Sequence, residues 1–121
     1  HDVEKAYQLG LDGVIVSNHG GRQVDVGQAT VDSLKTIAPL YKGKLTVMMD
    51  SGIRGGADVA RVMASGADFS FMGRTFMYGV SALGKKGGNH TVSMLKQQLT
   101  QVMEQMSCAE IQDLQTKLIT K

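Results

Sequence analysis

Three short apolar runs set the main constraint on this chain: Gly13–Ser17 (GVIVS), Leu45–Met49 (LTVMM) and Phe69–Gly73 (FSFMG). Each is continuous rather than alternating, the pattern of a strand buried on both faces of a parallel sheet. Parallel neighbours cannot be joined by a tight turn and need a crossover, usually a helix. The segments between the runs supply one each. Val31, Leu34 and Ile37 recur at near-helical spacing, with Thr30 placed to cap the start and Pro39 to stop the end. Val59, Ala60, Val62 and Met63 mark a second helix that ends at Gly66. The middle of the chain is therefore predicted to be β-α-β-α-β, an α/β class with a parallel sheet.

A faint internal repeat supports this. Gly10-Leu11-Asp12 precedes the first run and Gly66-Ala67-Asp68 the third, an offset of 56 residues. That is two units of about 28 residues, the size of one strand with its helix. Each Gly is expected to end a helix in the left-handed conformation, and each Asp to open the turn into a strand. Val3 to Leu9 reads as the tail end of another helix, so the domain is expected to begin upstream of His1. After the third run the pattern turns helical. Thr75 to Leu83 is predicted as a short helix and Gly84–Gly88 (GKKGG) as a flexible, solvated turn. Helices are expected across 88–119, with one stripe of Val92, Leu95, Leu99, Val102, Met103 and Met106 and a second of Ile111, Leu114 and Leu118. The eight methionines are assigned to core packing.

Composition excludes several classes. A net charge of +2, no Trp and only three Tyr and three Phe argue against a nucleic-acid partner. The apolar runs are too short to span a bilayer. Cys108 is alone, without an internal disulfide partner or any Cys/His metal spacing around it. It reads as a small apolar residue in a helical tail, in keeping with a reducing, cytoplasmic setting and no metal.

The chemistry lies in the loops after the runs, since loops at the C-terminal ends of parallel strands face the active site. Ser17-Asn18-His19-Gly20-Gly21-Arg22-Gln23 follows the first run. An imidazole there can act as a base, the glycine pair lets backbone approach a ligand, and the Arg22 fork suits a carboxylate. The other reading of this segment is a polar loop with a turn glycine pair. Asp50-Ser51-Gly52-Ile53-Arg54-Gly55-Gly56 follows the second run and leads into a helix whose first N–H groups, beside Arg54, would bind an anion such as phosphate. Gly73-Arg74 follows the third run and again opens a helix. Two glycine-arginine loops in succession suggest a phosphate cradle; ordinary turns with surface arginines are the alternative. His90 reads as a surface or capping residue, and Lys85-Lys86 as a solvated pair.

The strings SNHGGRQVD, DSGIRGG and GADFSFMGR resemble the C-terminal half of the FMN-dependent 2-hydroxy-acid oxidising enzymes, closest to their bacterial L-lactate dehydrogenase branch. The similarity covers nearly the whole chain. SNHGGRQ is specific to that family, whereas the glycine-arginine loops recur in other FMN and phosphate-binding barrels. The resemblance implies an α/β TIM barrel with FMN at its C-terminal face. A complete barrel takes about 250 residues, so these 121 would be its C-terminal portion: strand 6 near 13–17, strand 7 near 45–49 and strand 8 near 69–73, with flanking helices. His19 would be the base that activates the 2-hydroxy acid, and Arg22 would bind its carboxylate. Asp50, Ser51, Gly52, Arg54, Gly73 and Arg74 would hold the FMN ribityl chain and phosphate. The implied reaction is FMN-dependent oxidation of an (S)-2-hydroxy acid, with L-lactate to pyruvate the leading case. The implied setting is a cytoplasmic homo-oligomer, held by the bacterial branch at the inner face of the cell membrane.

Three positions depart from the family pattern. Ser51 stands where Gly is usual, Gly55 where a second Arg is common, and Thr75 where Pro often follows the Gly-Arg pair. The family's substrate tyrosines, its lysine near the flavin and the aspartate that orients the base belong to the N-terminal half. Three strands cannot close a barrel. The chain alone is thus expected to leave an edge strand and an apolar face uncovered, to self-associate or borrow a partner, and to lack normal activity. Two other functions fit parts of the pattern. An inosine-monophosphate dehydrogenase type of barrel shares the Asp-x-Gly-Ile-Arg loop but lacks SNHGGRQ and uses a catalytic Cys loop not seen here. A non-catalytic, phosphate-binding half-barrel is the other.

Overall fold

A computed structural model describes residues 1–119. In chain order it holds α1 (Asp2–Gln8), β1 (Gly13–Val16), α2 (Thr30–Tyr41), β2 (Thr46–Met49), α3 (Gly56–Ala64), β3 (Phe69–Ser70), α4 (Arg74–Leu83) and α5 (Gly87–Gln105). Tighter 3-10 segments lie at His19–Arg22, Gly84–Lys86 and Ile111–Lys117. The three strands form one parallel sheet in the order β1-β2-β3.

Alternation along the strands divides the sheet into two unlike faces. Val16, Val47 and Met49 pack on Leu34 and Ala38 of α2, Val62 of α3, and Ile53 and Ala67 in the loops. The opposite face carries Ile15, Met48 and Phe69 in one row, since Ile15 pairs with Met48 and Met48 with Phe69. Ile15 and Phe69 are 51% and 54% exposed. The runs are apolar throughout, as expected, yet within this chain only one of their two faces is covered.

The repeated Gly-x-Asp turns have a specific geometry. Gly10 and Gly66 sit at φ +75° and +103°, ending the helices before β1 and β3. Gly66 also lies so close to α2 that a Cβ there would be 2.7 Å from the Ala38 methyl. Asp68 then joins β3 to β2 twice: its N–H donates to the Val47 carbonyl at 2.7 Å, and its carboxylate accepts the Val47 N–H at 2.8 Å. On the first repeat, the Asp12 carbonyl accepts the Thr46 N–H. Helix α1 is tied to α2 by the Tyr41 hydroxyl, which donates to Glu4 Oε2 at 2.7 Å. That bond, with a second from Gln8, holds the Glu4 carboxyl below its ordinary pKa. This part of the docking is present above the ordinary carboxylate range and is lost as pH falls through the lowered value.

Four expectations need correction. Thr30 is the first residue of α2 and is buried; Ala29 takes the cap position, without a side-chain cap bond. Pro39 does not stop α2, which runs on to Tyr41 before the chain reverses at Gly43 (φ +78°). A proline ring clashes with the carbonyl four residues back and removes one N–H, and the last turn has little helix left to disturb. The third strand is two residues long rather than five, though Phe71 N–H still reaches the Met49 carbonyl at 2.8 Å. The GKKGG segment is no flexible turn: Gly87 and Gly88 open α5, and Gly87 is buried against α4. A Cβ on Gly87 would lie 2.2 Å from the Gly79 carbonyl oxygen, and one on Gly79 2.1 Å from Thr91 Oγ1.

The C-terminal region resolves into α5, a turn at Ser107 (φ +53°) and the 3-10 segment. Cys108, Leu114 and Ala60 are buried together, with Leu99, Val102 and Met103 of the expected stripe packed on them. Val92, Met106, Ile111 and Leu118 remain exposed. Among the described residues no helix is long and apolar enough to cross a membrane.

The Asp68 carboxylate supplies the partner of a buried strand amide. Asp68→Ala is expected to destabilise the fold by about 1–3 kcal/mol, the cost of an unsatisfied buried donor. An unchanged denaturation midpoint would show that water replaces it.

Candidate active site

Parallel strands joined by crossover helices all end at the same edge of the sheet, so the loops after β1, β2 and β3 meet there. They enclose an open cleft of about 720 Å³. His19, Arg22, Asp50, Ser51, Gly52, Arg54, Gly73 and Arg74 all line it, together with Asn18, Gly21, Ile53, Phe71, Met72 and Met77.

The first loop turns immediately after β1. His19 N–H donates to Ser17 Oγ at 3.1 Å, and His19–Arg22 form a single 3-10 turn with both side chains exposed. The two glycines of this turn differ. A Cβ on Gly21 would lie 2.5 Å from Asn18 Oδ1, so a side chain there would have to displace the exposed Asn18 side chain. A Cβ on Gly20 would meet nothing, and the space over it is free for a ligand.

The second loop takes two successive left-handed residues, Ser51 (φ +72°) and Gly52 (φ +83°). The Ser51 hydroxyl donates to Asp50 Oδ1 at 2.7 Å and accepts the Asn18 N–H at 3.1 Å. Ile53 is buried in the core beneath, which turns the chain outward at Arg54. The expected anion site at the start of α3 is not available in the form predicted. Arg54 and Gly55 N–H both donate to Asp58 Oδ2, at 3.0 and 3.3 Å, and Gly56 N–H donates to Gln98 Oε1 at 2.8 Å. The helix start is thus satisfied by its own acidic residue and by α5. An Asp in the first turn is a sequence sign of such self-capping, and it was present in GGAD.

The start of α4 is different. No acidic residue lies in its first turn, which opens on Gly73 and Arg74. Gly73 has neither a positive φ nor a neighbour that a Cβ would strike. Nothing internal requires glycine there, while close approach by a ligand would. Thr75, buried, donates its hydroxyl to the Arg54 carbonyl at 3.2 Å and so fixes the second loop to α4.

Charge completes the description. The ion pairs among the described residues are Arg61–Asp58 and His1–Asp2. Arg22, Arg54 and Arg74 are in neither, though Arg54 Nη1 donates to the Ile53 carbonyl at 3.2 Å, so three guanidiniums without an ion pair among the described residues line the cleft against one carboxylate, Asp50. Phe71, Met72 and Met77 add an apolar side. No group of His, Cys, Asp and Glu able to hold a metal occurs among the described residues. The donor set suits a ligand that is anionic at two places and flat and apolar between them, as FMN with a small carboxylate would be. Arg54, Arg74 and Gly73 would hold its phosphate.

A parallel α/β unit with an arginine-lined cleft at the C-terminal ends of its strands is the architecture of the phosphate-binding α/β class. The FMN-dependent dehydrogenase family matches residues 1–121, and the chain belongs to that family. It is 37% identical over 120 residues to the L-lactate dehydrogenase of Alcaligenes faecalis, covering 99% of this chain and 32% of that protein. It is 43% identical over 102 residues to the L-lactate dehydrogenase of Bartonella quintana, covering 84% of this chain and 27% of that protein. A solved mandelate oxidase superposes with a TM-score of 0.90 at 32% identity, covering 99% of this chain and 36% of that one. The chain thus spans about a third of the length of the relatives it matches. Its structural neighbours are TIM-barrel flavoenzymes, and the family's cofactor is FMN.

Arg54→Ala and Arg74→Ala are each expected to weaken FMN by about 1.5–3 kcal/mol, the loss of a charge-assisted bond. Flavin-fluorescence titration measures this. If neither substitution alters affinity, the cradle is misplaced.

Proposed function

We propose that this chain forms strands 6 to 8 and the closing helices of a TIM barrel that oxidises an (S)-2-hydroxy acid, with L-lactate as the leading substrate. The observation that carries the reading is the convergence of His19, Arg22 and the two cradle arginines on one cleft. The L-lactate dehydrogenases among its relatives support the substrate.

The chain's own groups divide the work. Arg22 lies three residues after His19 on the same turn, so one small substrate can touch both. Its planar guanidinium pairs with the carboxylate and fixes the substrate's orientation. The His19 imidazole takes a proton from the bound 2-hydroxy acid. Arg54, Arg74 and the bare backbone at Gly73 hold the phosphate end of the cofactor, and Asp50, Ser51 and Gly52 lie along the chain between. FMN, when bound, supplies the acceptor for two electrons. The setting proposed for the full-length enzyme is a cytoplasmic homo-oligomer, associated peripherally with the inner membrane face.

His19→Ala in the complete enzyme is expected to keep flavin binding and to lower kcat about 10²–10⁴-fold, the usual contribution of a positioned base. Unchanged turnover with L-lactate would reject that role. A protein that stays colourless and inert after FMN is added would favour the phosphate-binding half-barrel instead.

The uncovered row of Ile15, Met48 and Phe69 supports a second expectation. This chain on its own is expected to sediment as an oligomer and to show no lactate oxidation. A monomeric, FMN-saturated, lactate-oxidising species would overturn it.

A further inference from the structure

Ser51 and Ser107 are the two non-glycine residues with positive φ among the described residues. A side chain with a Cβ is disfavoured in that region, whereas glycine enters it freely. Gly52 follows Ser51 in the same conformation, so the turn leaving β2 needs two left-handed residues in a row. A glycine at position 51 would meet that need without strain, and glycine is the residue usual there in the family pattern. What serine adds is a hydroxyl, and the hydroxyl is fully used. Its single proton goes to Asp50 Oδ1 at 2.7 Å. With the proton committed, the oxygen is left to accept, and it accepts the Asn18 N–H from the neighbouring loop at 3.1 Å.

Beyond the end of the strand ladder at Val16 and Asp50, this is the one hydrogen bond between the two loops among the described residues. Asn18 is the residue immediately before the His19–Arg22 turn, and its side chain fills the space under Gly21. We infer that Ser51 is a positioning residue: its hydroxyl clips the His19–Arg22 turn to the Asp50–Gly56 loop and fixes the one relative to the other. The functional weight of the clip rests on the reading of His19 as the base; the clip itself does not.

The test is amide hydrogen exchange on the full chain, comparing Ser51→Ala and Ser51→Gly with the parent. Alanine removes the hydroxyl and keeps the strained Cβ. Glycine removes both. Exchange at the Asn18 N–H is expected to accelerate about three- to tenfold in both variants, the equivalent of one net hydrogen bond. Exchange at the Val47 N–H, held by Asp68 away from the clip, should stay unchanged, and Ser51→Gly should melt no lower than the parent. Local loosening at Asn18 without loss of Tm is the signature that a merely stabilising role would not produce. Unchanged exchange at Asn18, or equal acceleration at Asn18 and Val47, would overturn the inference. These outcomes are independent of turnover in His19→Ala, so the clip and the assigned base can fail separately.

Discussion

The parallel alignment of three short strands is the constraint on which the rest depends. It forces helices into the connections, and it sends every connection back to the same edge. Val47 is at the centre of this arrangement. Its side chain is buried between sheet and helices, and its two backbone groups are both taken by Asp68. With the central strand held on both sides, the loops leaving β1, β2 and β3 have nowhere to open except together. The cleft is a by-product of that geometry, and its chemistry is written in what each loop carries at its first few positions.

Those positions share a pattern: an arginine exposed at the cleft whose guanidinium is in no ion pair among the described residues. Asp58 takes the Arg61 guanidinium and the backbone amides of Arg54 and Gly55, and forms no ion pair with the Arg54 guanidinium. The result is a positive cleft whose one carboxylate, Asp50, is already engaged by Ser51. Such an arrangement leaves the arginines for an incoming anion and not for the protein's own acids.

Much of the fold was legible because parallel strands in a covered sheet must be short and apolar, and because Gly-x-Asp turns repeat. GVIVS, LTVMM and the helix pattern at Val59–Met63 carried that information directly. The misreadings came from contacts that no local pattern encodes. Pro39 lies in a final turn with little helix to break, Thr30 is drawn inward by burial, and GKKGG is compressed by helix crossing at Gly79. In the cleft, residue types pointed to loops that do share one cleft, but side chains arriving from elsewhere carry no local signal. Gln98, 42 residues beyond Gly56, takes the helix-start amide that the loop pattern assigns to phosphate. Thr75, a departure from the family pattern, and Ser51, a departure also assigned to the cofactor, each join neighbouring segments of the cleft.

The close contact of α4 with α5 has a consequence at the cleft. Gly79 and Gly87 let the two backbones touch, which fixes the angle at which α5 sets off. Further along, α5 lies against the start of α3 so tightly that a Cβ on Gly56 would fall 2.4 Å from the Leu99 nitrogen. The helix thus works as a strut between two glycine joints, one at the elbow and one under the Arg54 loop. Its footing at the elbow also decides the height at which Gln98 meets the second loop. The spacing between Arg54 and Arg74 is therefore a property of the elbow as much as of the loops that bear them.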